Sequence, residues 1–351
     1  MQKNILIAPL NWGLGHATRC IPIINALEEN NFTPIIASDG VALALLQREF
    51  PHLTALELPS YNIKYARKAS NFKWNLIKNM PRTLMAMDAE KKLVNKWISE
   101  YNITGIISDN RLGVHSKKVP SIFITHQLTV LSGNTTWLSS KMHQFYIRKF
   151  NECWIPDTNN SVNLTGKLGH LSKTSLPLKY IGILSRLQKL KSPIIYDLMV
   201  ILSGPEPQRT MLEEKLIVEL RDYKGRIVFI KGKIESDQSV EIKGNVTFYN
   251  FMQTEQLEKT FNESEMVLCR SGYTTVMDLV KLEKKAFFIP TPGQFEQEFL
   301  AEKYKKEGVL PMTTQDNFKM EALYSVELYA GLPKIKAEAN WKELFSLFKR
   351  K

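Results

Sequence analysis

Short apolar runs alternate with longer stretches whose apolar positions recur every three or four residues, and this alternation continues through most of the chain. In the first half, apolar runs at 4–10, 33–38, 53–58, 103–108 and 121–125 predict strands. The helical periodicity at 17–29, 41–50, 75–100 and 135–150 predicts the segments between them. Cys153-Trp-Ile-Pro adds one more short strand. The second half repeats the scheme, with strands expected at 197–202, 226–231, 245–249, 266–269 and 286–290. Its helices are expected at 209–223, 254–262, 272–282 and 296–306. Strands separated by helices in this order imply parallel sheets covered on both faces, so the expected class is α/β with two doubly wound, Rossmann-like domains. A segment carrying Pro177, Gly182 and a basic run from Arg186 to Lys191 separates the halves. The expected division is 1–178, a linker at 179–193, and 194–335. A C-terminal helix within 336–351, amphipathic over 341–348, is expected to pack back on the first domain.

Open α/β sheets take ligands beyond the carboxyl ends of their strands, at the points where strand order reverses. Attention therefore falls on the loops after strands. The most informative is Cys269-Arg-Ser-Gly-Tyr-Thr-Thr-Val-Met-Asp278, followed after an apolar run by Pro290-Thr-Pro-Gly-Gln-Phe-Glu-Gln297. A strand that runs through Arg-Ser-Gly into a helix, with Ser271 as the expected N-cap, turns backbone N–H groups and a helix dipole toward an anion. Asp278 follows two turns along, a carboxylate of the kind that holds ribose hydroxyls. Gln294, Glu296 and Gln297 suit the hydroxyls of a sugar, and Ser203-Gly204 after the half's first strand repeats the anion-cradle logic.

The first half opens its first helix with Asn11-Trp-Gly13-Leu-Gly15-His16-Ala-Thr-Arg19. A dinucleotide fingerprint would need glycine where Thr18 stands, and no Gly-Lys-Ser or Gly-Lys-Thr follows to make a P-loop. His16, at a helix start behind two glycines, is either a base or hydrogen-bond donor toward a ligand, or a helix cap. Asp109, in Ser108-Asp-Asn-Arg111 at a strand end, is either a general base toward an acceptor hydroxyl or an Asx turn. Thr125-His126-Gln127 repeats the polar placement after the next strand.

Composition narrows the partners. A chain of 351 residues has length for two cores, and 44% hydrophobic with 23% charged residues is the balance of a globular protein. No apolar run approaches the roughly 18 residues of a membrane span, and the N-terminus enters a strand too early for a signal peptide. Cys20, Cys153 and Cys269 lack metal-type or paired spacing, which points to reduced thiols in a cytoplasmic protein. The net charge of +12 asks for an anionic partner: nucleic acid, membrane face or substrate. Lys64, Arg67, Lys68, Lys73, Lys78 and Arg82 interleave with Tyr61, Tyr65, Phe72, Trp74, Leu76 and Ile77. That mixture suits a bilayer headgroup zone or, equally, a helix with one solvated and one buried face. No RNA-binding signature accompanies it. Asp-x-Asp at a strand end, a Gly-x-Ser-x-Gly elbow and zinc-ligand histidine spacing are all missing from the sequence, so a built-in metal and serine-hydrolase chemistry are disfavoured.

Gly13-Leu-Gly15-His16, Thr125-His126-Gln127, and Arg270 through Asp278 followed by Gln294-Phe-Glu296-Gln297 resemble the GT-B glycosyltransferases, specifically the family 28, MurG-like type. Cys153-Trp-Ile-Pro-Asp157 and Gly166-Lys-Leu168 are similar to a bacterial UDP-sugar transferase subgroup of that family. The resemblance implies two Rossmann-like domains facing across a cleft. It implies transfer of an N-acetylhexosamine or hexose from a UDP-sugar to a lipid or lipid-linked cell-envelope acceptor, inverting, with no metal and no cofactor beyond the substrate. Ser203, Gly204, Arg270, Ser271, Gly272, Tyr273 and Thr274 would hold the donor diphosphate region, Asp278 the ribose, and Gln294, Glu296 and Gln297 the sugar. His16 and Asp109 would be catalytic, with Asn11, Gly13, Gly15, His126 and Gln127 on the acceptor side. It further implies a peripheral position on the inner face of the cell membrane, an anionic membrane surface as partner and no nucleic acid. Two alternatives remain at this level: a UDP-sugar epimerase of GT-B-like fold, and a basic nucleic-acid-binding protein.

Overall fold

A computed structural model describes residues 3–61, 72–233, 235–335 and 339–349, with backbone alone over 72–81. The described chain divides into two compact units, one made of 3–61, 73–184 and 339–349, the other of 72, 185–233 and 235–335. Most of the basic aromatic stretch named from the sequence lies outside the described residues or, within 72–81, is described by backbone alone. The exceptions are Tyr61, which is buried, and Arg82, which is exposed.

The first unit holds a seven-stranded sheet in the order β3-β2-β1-β4-β5-β6-β7, parallel throughout. Its strands are β1 (Lys3–Pro9), β2 (Phe32–Ser38), β3 (Ala55–Glu57), β4 (Ile103–Asp109), β5 (Ser121–Ile124), β6 (Glu152–Ile155) and β7 (Leu178–Tyr180). The helices between them are α1 (Gly15–Glu29), α2 (Gly40–Glu49), α3 (Phe72–Glu100) and α4 (Thr136–Ile147). Central strands β1 and β4 are buried on both faces, which is why they read as unbroken apolar runs rather than alternating ones. Edge strand β7 occupies positions where the linker was expected to begin. Its three residues are half-buried and carry no apolar run to mark them.

The second unit holds a six-stranded sheet in the order β10-β11-β9-β8-β12-β13. Its strands are β8 (Tyr196–Ile201), β9 (Ile227–Ile230), β10 (Val240–Lys243), β11 (Val246–Tyr249), β12 (Ser264–Cys269) and β13 (Lys285–Phe288). They alternate with α5 (Gln208–Glu219), α6 (Thr254–Asn262), α7 (Tyr273–Leu282) and α8 (Phe295–Lys306). All pairings are parallel except β10 with β11, a hairpin turning at Gly244-Asn245. β10 was not expected. All four of its residues are exposed and two are charged, so it has no buried face to write into the sequence.

The C-terminal segment also departs from expectation. In place of one helix it forms two short ones, α9 (Trp341–Leu344) and α10 (Ser346–Lys349), interrupted at Phe345. Phe345 is buried, stacks on Trp341 at 5.4 Å and meets Phe32 edge-on at 5.6 Å. Phe348 lies over Gly105 of β4, where a Cβ would stand 2.3 Å from its ring. Breaking the helix lets both rings enter the first unit's core. The three cysteines are buried and unpaired, and among the described residues no helix is long and apolar enough to cross a membrane.

Candidate active site

In the first sheet the strand order reverses between β1 and β4, so the loops after these two strands lie side by side. Pro9 and Asp109 are register partners at the two strand ends. After β1 the chain passes Gly13, whose φ of +77° favours glycine and whose surroundings leave open space, and enters α1 at Gly15. His16 and Arg19, three apart on one helix face, both reach Asp109. His16 Nδ1 is 2.9 Å from Asp109 Oδ1. Arg19 grips both carboxylate oxygens, donating from Nε to Oδ2 at 2.5 Å and from Nη2 to Oδ1. Its Nη1 lies 2.9 Å from Nδ1 of His126, so the loop after β5 joins the cluster.

These contacts resolve the alternatives left by the sequence. The residue preceding α1 is Leu14 and no side chain caps this helix, so His16 is not a cap. Asp109 uses its oxygens on side chains of α1 rather than on its own turn. It is also unsuited to be the base. Burial favours its neutral form, but the Arg19 guanidinium and His16 outweigh burial and hold the carboxyl well below the usual range. The doubly gripped Asp109 carboxylate is fully buried, whereas His16 is part-exposed. Burial lowers the His16 pKa, Asp109 raises it, and Arg19 and His126 lower it again, leaving it below its ordinary value. Arg19 itself was not singled out from the sequence. The signal available was the Gly-His-x-x-Arg spacing, which puts both side chains on one face.

Asn11 donates to Asp39 at 3.1 Å and abuts Gly40. Asp39 in turn accepts from Arg111 at 2.7 Å, and Arg111 also binds Glu90 at 2.6 Å, which accepts from the Tyr61 hydroxyl at 2.7 Å. This second buried charge cluster pins the loops after β1, β2 and β4. Asn11 thus has a structural task, and Gln127, half-buried, donates its backbone N–H to the Thr125 hydroxyl at 3.1 Å.

In the second sheet the order reverses between β8 and β12. The loop after β8 presents Ser203 and Gly204 to solvent, Gly204 with φ +100°. α7 begins at Tyr273 with Gly272, not Ser271, as its N-cap. Ser271 is buried, and its hydroxyl donates to the Gln297 carbonyl at 2.8 Å, so its side chain is not turned to the helix start. The Arg270 side chain, expected to hold the donor, is likewise turned inward. It is buried and its two terminal nitrogens donate to the carbonyls of Ile289, Pro290 and Gln208 and to Gln315 Oε1, tying the start of α5 to the loops after β13 and α8. The Tyr273 ring belongs to the core, so any ligand contact there would run through backbone.

What converges at the N-terminus of α7 is a largely uncharged set. A Cβ placed on Gly272 would meet the Gln297 amide nitrogen and the Thr275 hydroxyl, each at 3.9 Å. Gln297 Oε1 accepts from the Thr291 backbone N–H at 2.9 Å, and the Thr291 hydroxyl lies 3.8 Å from where a Gly204 side chain would begin. Thr291, 1% exposed, has no hydrogen-bond partner for its hydroxyl among the described residues. It follows an apolar run and was passed over in the sequence. Gln294 precedes α8 and Glu296 sits in its first turn, where a helix dipole favours acidic groups, and Thr274 is half-buried in the first turn of α7. Further along α7, Asp278 accepts from the Ser185 hydroxyl at 2.6 Å. Burial pushes its carboxyl up to about 6, against that hydrogen bond and the charge of Arg186.

Two Rossmann-like units, each with a reversal of strand order in its sheet, give the chain a GT-B fold. Residues 208–347 match the glycosyltransferase family 28 C-terminal domain, which covers part of the chain, largely in the second unit. Over 135 residues it is 26% identical to the UDP-N-acetylglucosamine–N-acetylmuramyl-(pentapeptide) pyrophosphoryl-undecaprenol N-acetylglucosamine transferase of Glaesserella parasuis serovar 5 (strain SH0165). That match covers 36% of this chain and 38% of the relative, so the chain spans well under half of that protein's length in the alignment. Among solved structures, Acinetobacter baumannii MurG is similar over 100% of both chains, with a TM-score of 0.59 at 13% identity. The glycosyltransferase SnogD from Streptomyces nogalater is similar over 99% of this chain and 94% of its own, with a TM-score of 0.61 at 13% identity.

Proposed function

We propose that this protein is a glycosyltransferase in which the second unit binds a UDP-sugar and His16 of the first unit deprotonates the acceptor hydroxyl. One observation carries the reading: a part-exposed histidine at the switch point of the first sheet, with Nδ1 held 2.9 Å from a buried, ionised carboxylate. With its Nδ1 proton donated to Asp109, the ring has a lone pair on Nε2 for the acceptor O–H. As the acceptor oxygen bonds to the anomeric carbon, the bond from that carbon to the diphosphate breaks and UDP departs with its charge. A single displacement of this kind inverts the anomeric centre. The leaving diphosphate would be met by the N-terminus of α7 and the loop at Gly204, with no metal or cofactor required. Asp278 would take the ribose hydroxyls, and Gln297, Glu296 and Gln294 the transferred N-acetylhexosamine or hexose.

The acceptor proposed is a lipid or lipid-linked cell-envelope molecule, reached from the inner face of the cell membrane. Support comes from α4, which exposes Trp137 (72%), Leu138, Met142 and Phe145 (60%) with Lys141, Arg148 and Lys149 beside them. Apolar side chains rimmed by cations fit an anionic bilayer surface. The first test is calorimetric titration of the wild-type protein with UDP and UDP-sugars; absence of UDP binding ends the proposal. Incubation with the bound UDP-sugar and no acceptor then separates transfer from epimerisation, since an epimerase converts the donor unaided. Co-sedimentation with anionic and with zwitterionic vesicles tests the membrane partner.

A further inference from the structure

Arg19 links Asp109, His16 and His126 in the first unit's site. It is 1% exposed, with Nε and Nη2 on the two oxygens of Asp109, Nη2 also 2.9 Å from His16 Nδ1, and Nη1 2.9 Å from His126 Nδ1. A guanidinium has five N–H donors, no acceptor, and keeps its charge. Nη2 and Asp109 Oδ1 therefore converge on one ring nitrogen with opposite demands. A hydrogen bond to Oδ1 requires a proton on Nδ1, leaving a lone pair on Nε2. A hydrogen bond from Nη2 requires Nδ1 bare, putting the neutral ring's proton on Nε2, where it blocks base catalysis.

The carboxylate decides between them. It has about four acceptor sites. Arg19 Nε and Nη2 take two, the Cys20 thiol at 3.7 Å approaches a third, and Oδ1 retains one directed at His16. With Nδ1–H donated there, the Nη2 contact becomes a fixed positive charge beside the ring, which disfavours a second proton. We propose that Arg19 is a positioning residue that keeps His16 a base: its fork fixes Asp109 to receive Nδ1–H, and its charge keeps the ring from becoming an imidazolium. The inference rests on His16 being the proposed base. The groups facing His16 are Asp109 from β4, Arg19 from α1 itself and His126 from the loop after β5. Of these, Asp109 alone favours protonation. Removing Arg19 leaves Asp109 to draw a proton onto the ring.

The experiment is a nitrogen-15 NMR titration of the histidine rings in the wild-type protein, R19Q and R19K, with H16Q used to assign His16. Expected for the wild type is a neutral ring with its proton on Nδ1, titrating below 6.5. In R19Q the His16 titration should rise by about one to three pH units, the range for loss of an adjacent like charge. The acid limb of kcat/KM should rise with it. R19K keeps the charge without the fork, so its titration should stay low while kcat falls. A wild-type ring with its proton on Nε2 overturns the proposal. So does an R19Q titration that stays put or moves down, or a loss of kcat that is equal at every pH. Should R19Q not fold, R19K decides: a low titration supports the proposal and a rise above 6.5 overturns it. If the wild type fails to bind UDP, the proposed function falls while the ring titration still tests Arg19 separately.

Discussion

The two sheets end their central strands in opposite chemistry. At the switch point of the first, Asp109, Arg19, His16 and His126 form a buried network of charged and titratable groups, and a second such cluster of Arg111, Glu90, Asp39 and Tyr61 stands behind it. At the switch point of the second, glycine backbone, the Thr291 hydroxyl and the Gln297 amide converge, while Arg270 is turned inward onto carbonyls. The contrast suits the two tasks proposed for them. Moving a proton needs a side chain whose charge state is tuned by fixed neighbours. Holding an anion and a sugar needs donors already in place, and a helix end supplies them without a cation. Even the carboxylates differ: Arg19 keeps Asp109 ionised, whereas Asp278, with a hydroxyl as its direct partner, is pushed toward neutrality.

The hardest blow to this contrast is His16→Ala. Loss of the base should cut kcat about 10²- to 10⁴-fold while leaving UDP affinity unchanged, and a rate within twofold of wild type would remove the first site from the chemistry. Next comes Asp109→Asn, which leaves the buried Arg19 charge unpaired. Denaturant unfolding should show a loss of about 3–5 kcal/mol. Wild-type stability from Asp109 should be present above the unfolded carboxyl value of about 3.9 and fall away as pH drops below it, because its folded pKa is depressed.

Asp278 should have the opposite sign. Its folded carboxyl, near 6, binds protons more tightly than the unfolded one, so between about 6 and 4 its contribution to stability grows as pH falls. Asp278→Asn should therefore stabilise the protein at pH 7.5, on the order of 2 kcal/mol, yet weaken UDP binding. A melting temperature that drops, or a UDP affinity left intact, breaks the comparison on that side. The smallest effect is expected from Thr291→Val. Deleting a buried hydroxyl that lacks a partner should leave stability equal or raise it by about 1 kcal/mol; a clear loss would reveal a structural bond there.

Much of the first unit's chemistry was legible in the chain. Gly13, Gly15 and His16 before an apolar helix, and Asp109 closing an apolar strand, are local patterns that report backbone approach and strand-end placement. Arg19 and Thr291 were not legible. The decisive neighbours, Asp109 and Gly204, stand 90 and 87 positions away, and the Gly-His-x-x-Arg spacing reports only that His16 and Arg19 share a helix face, not that Arg19 clamps a carboxylate. Arg270 and Ser271 show the reverse case: next to a glycine at a helix start they look like ligands, but the backbone carbonyls of Gln208, Pro290 and Gln297 accept from their side chains.

By itself the sequence determined the alternation of strands and helices, the parallel pairing of most strands and the loops where chemistry can sit, because hydrophobic period and strand-end polarity are local properties. Only the tertiary structure decided which polar side chains in those loops face outward and which are consumed as struts. That choice depends on hydrogen bonds across the fold, and on how burial and neighbouring charge set the protonation of Asp109, His16 and Asp278.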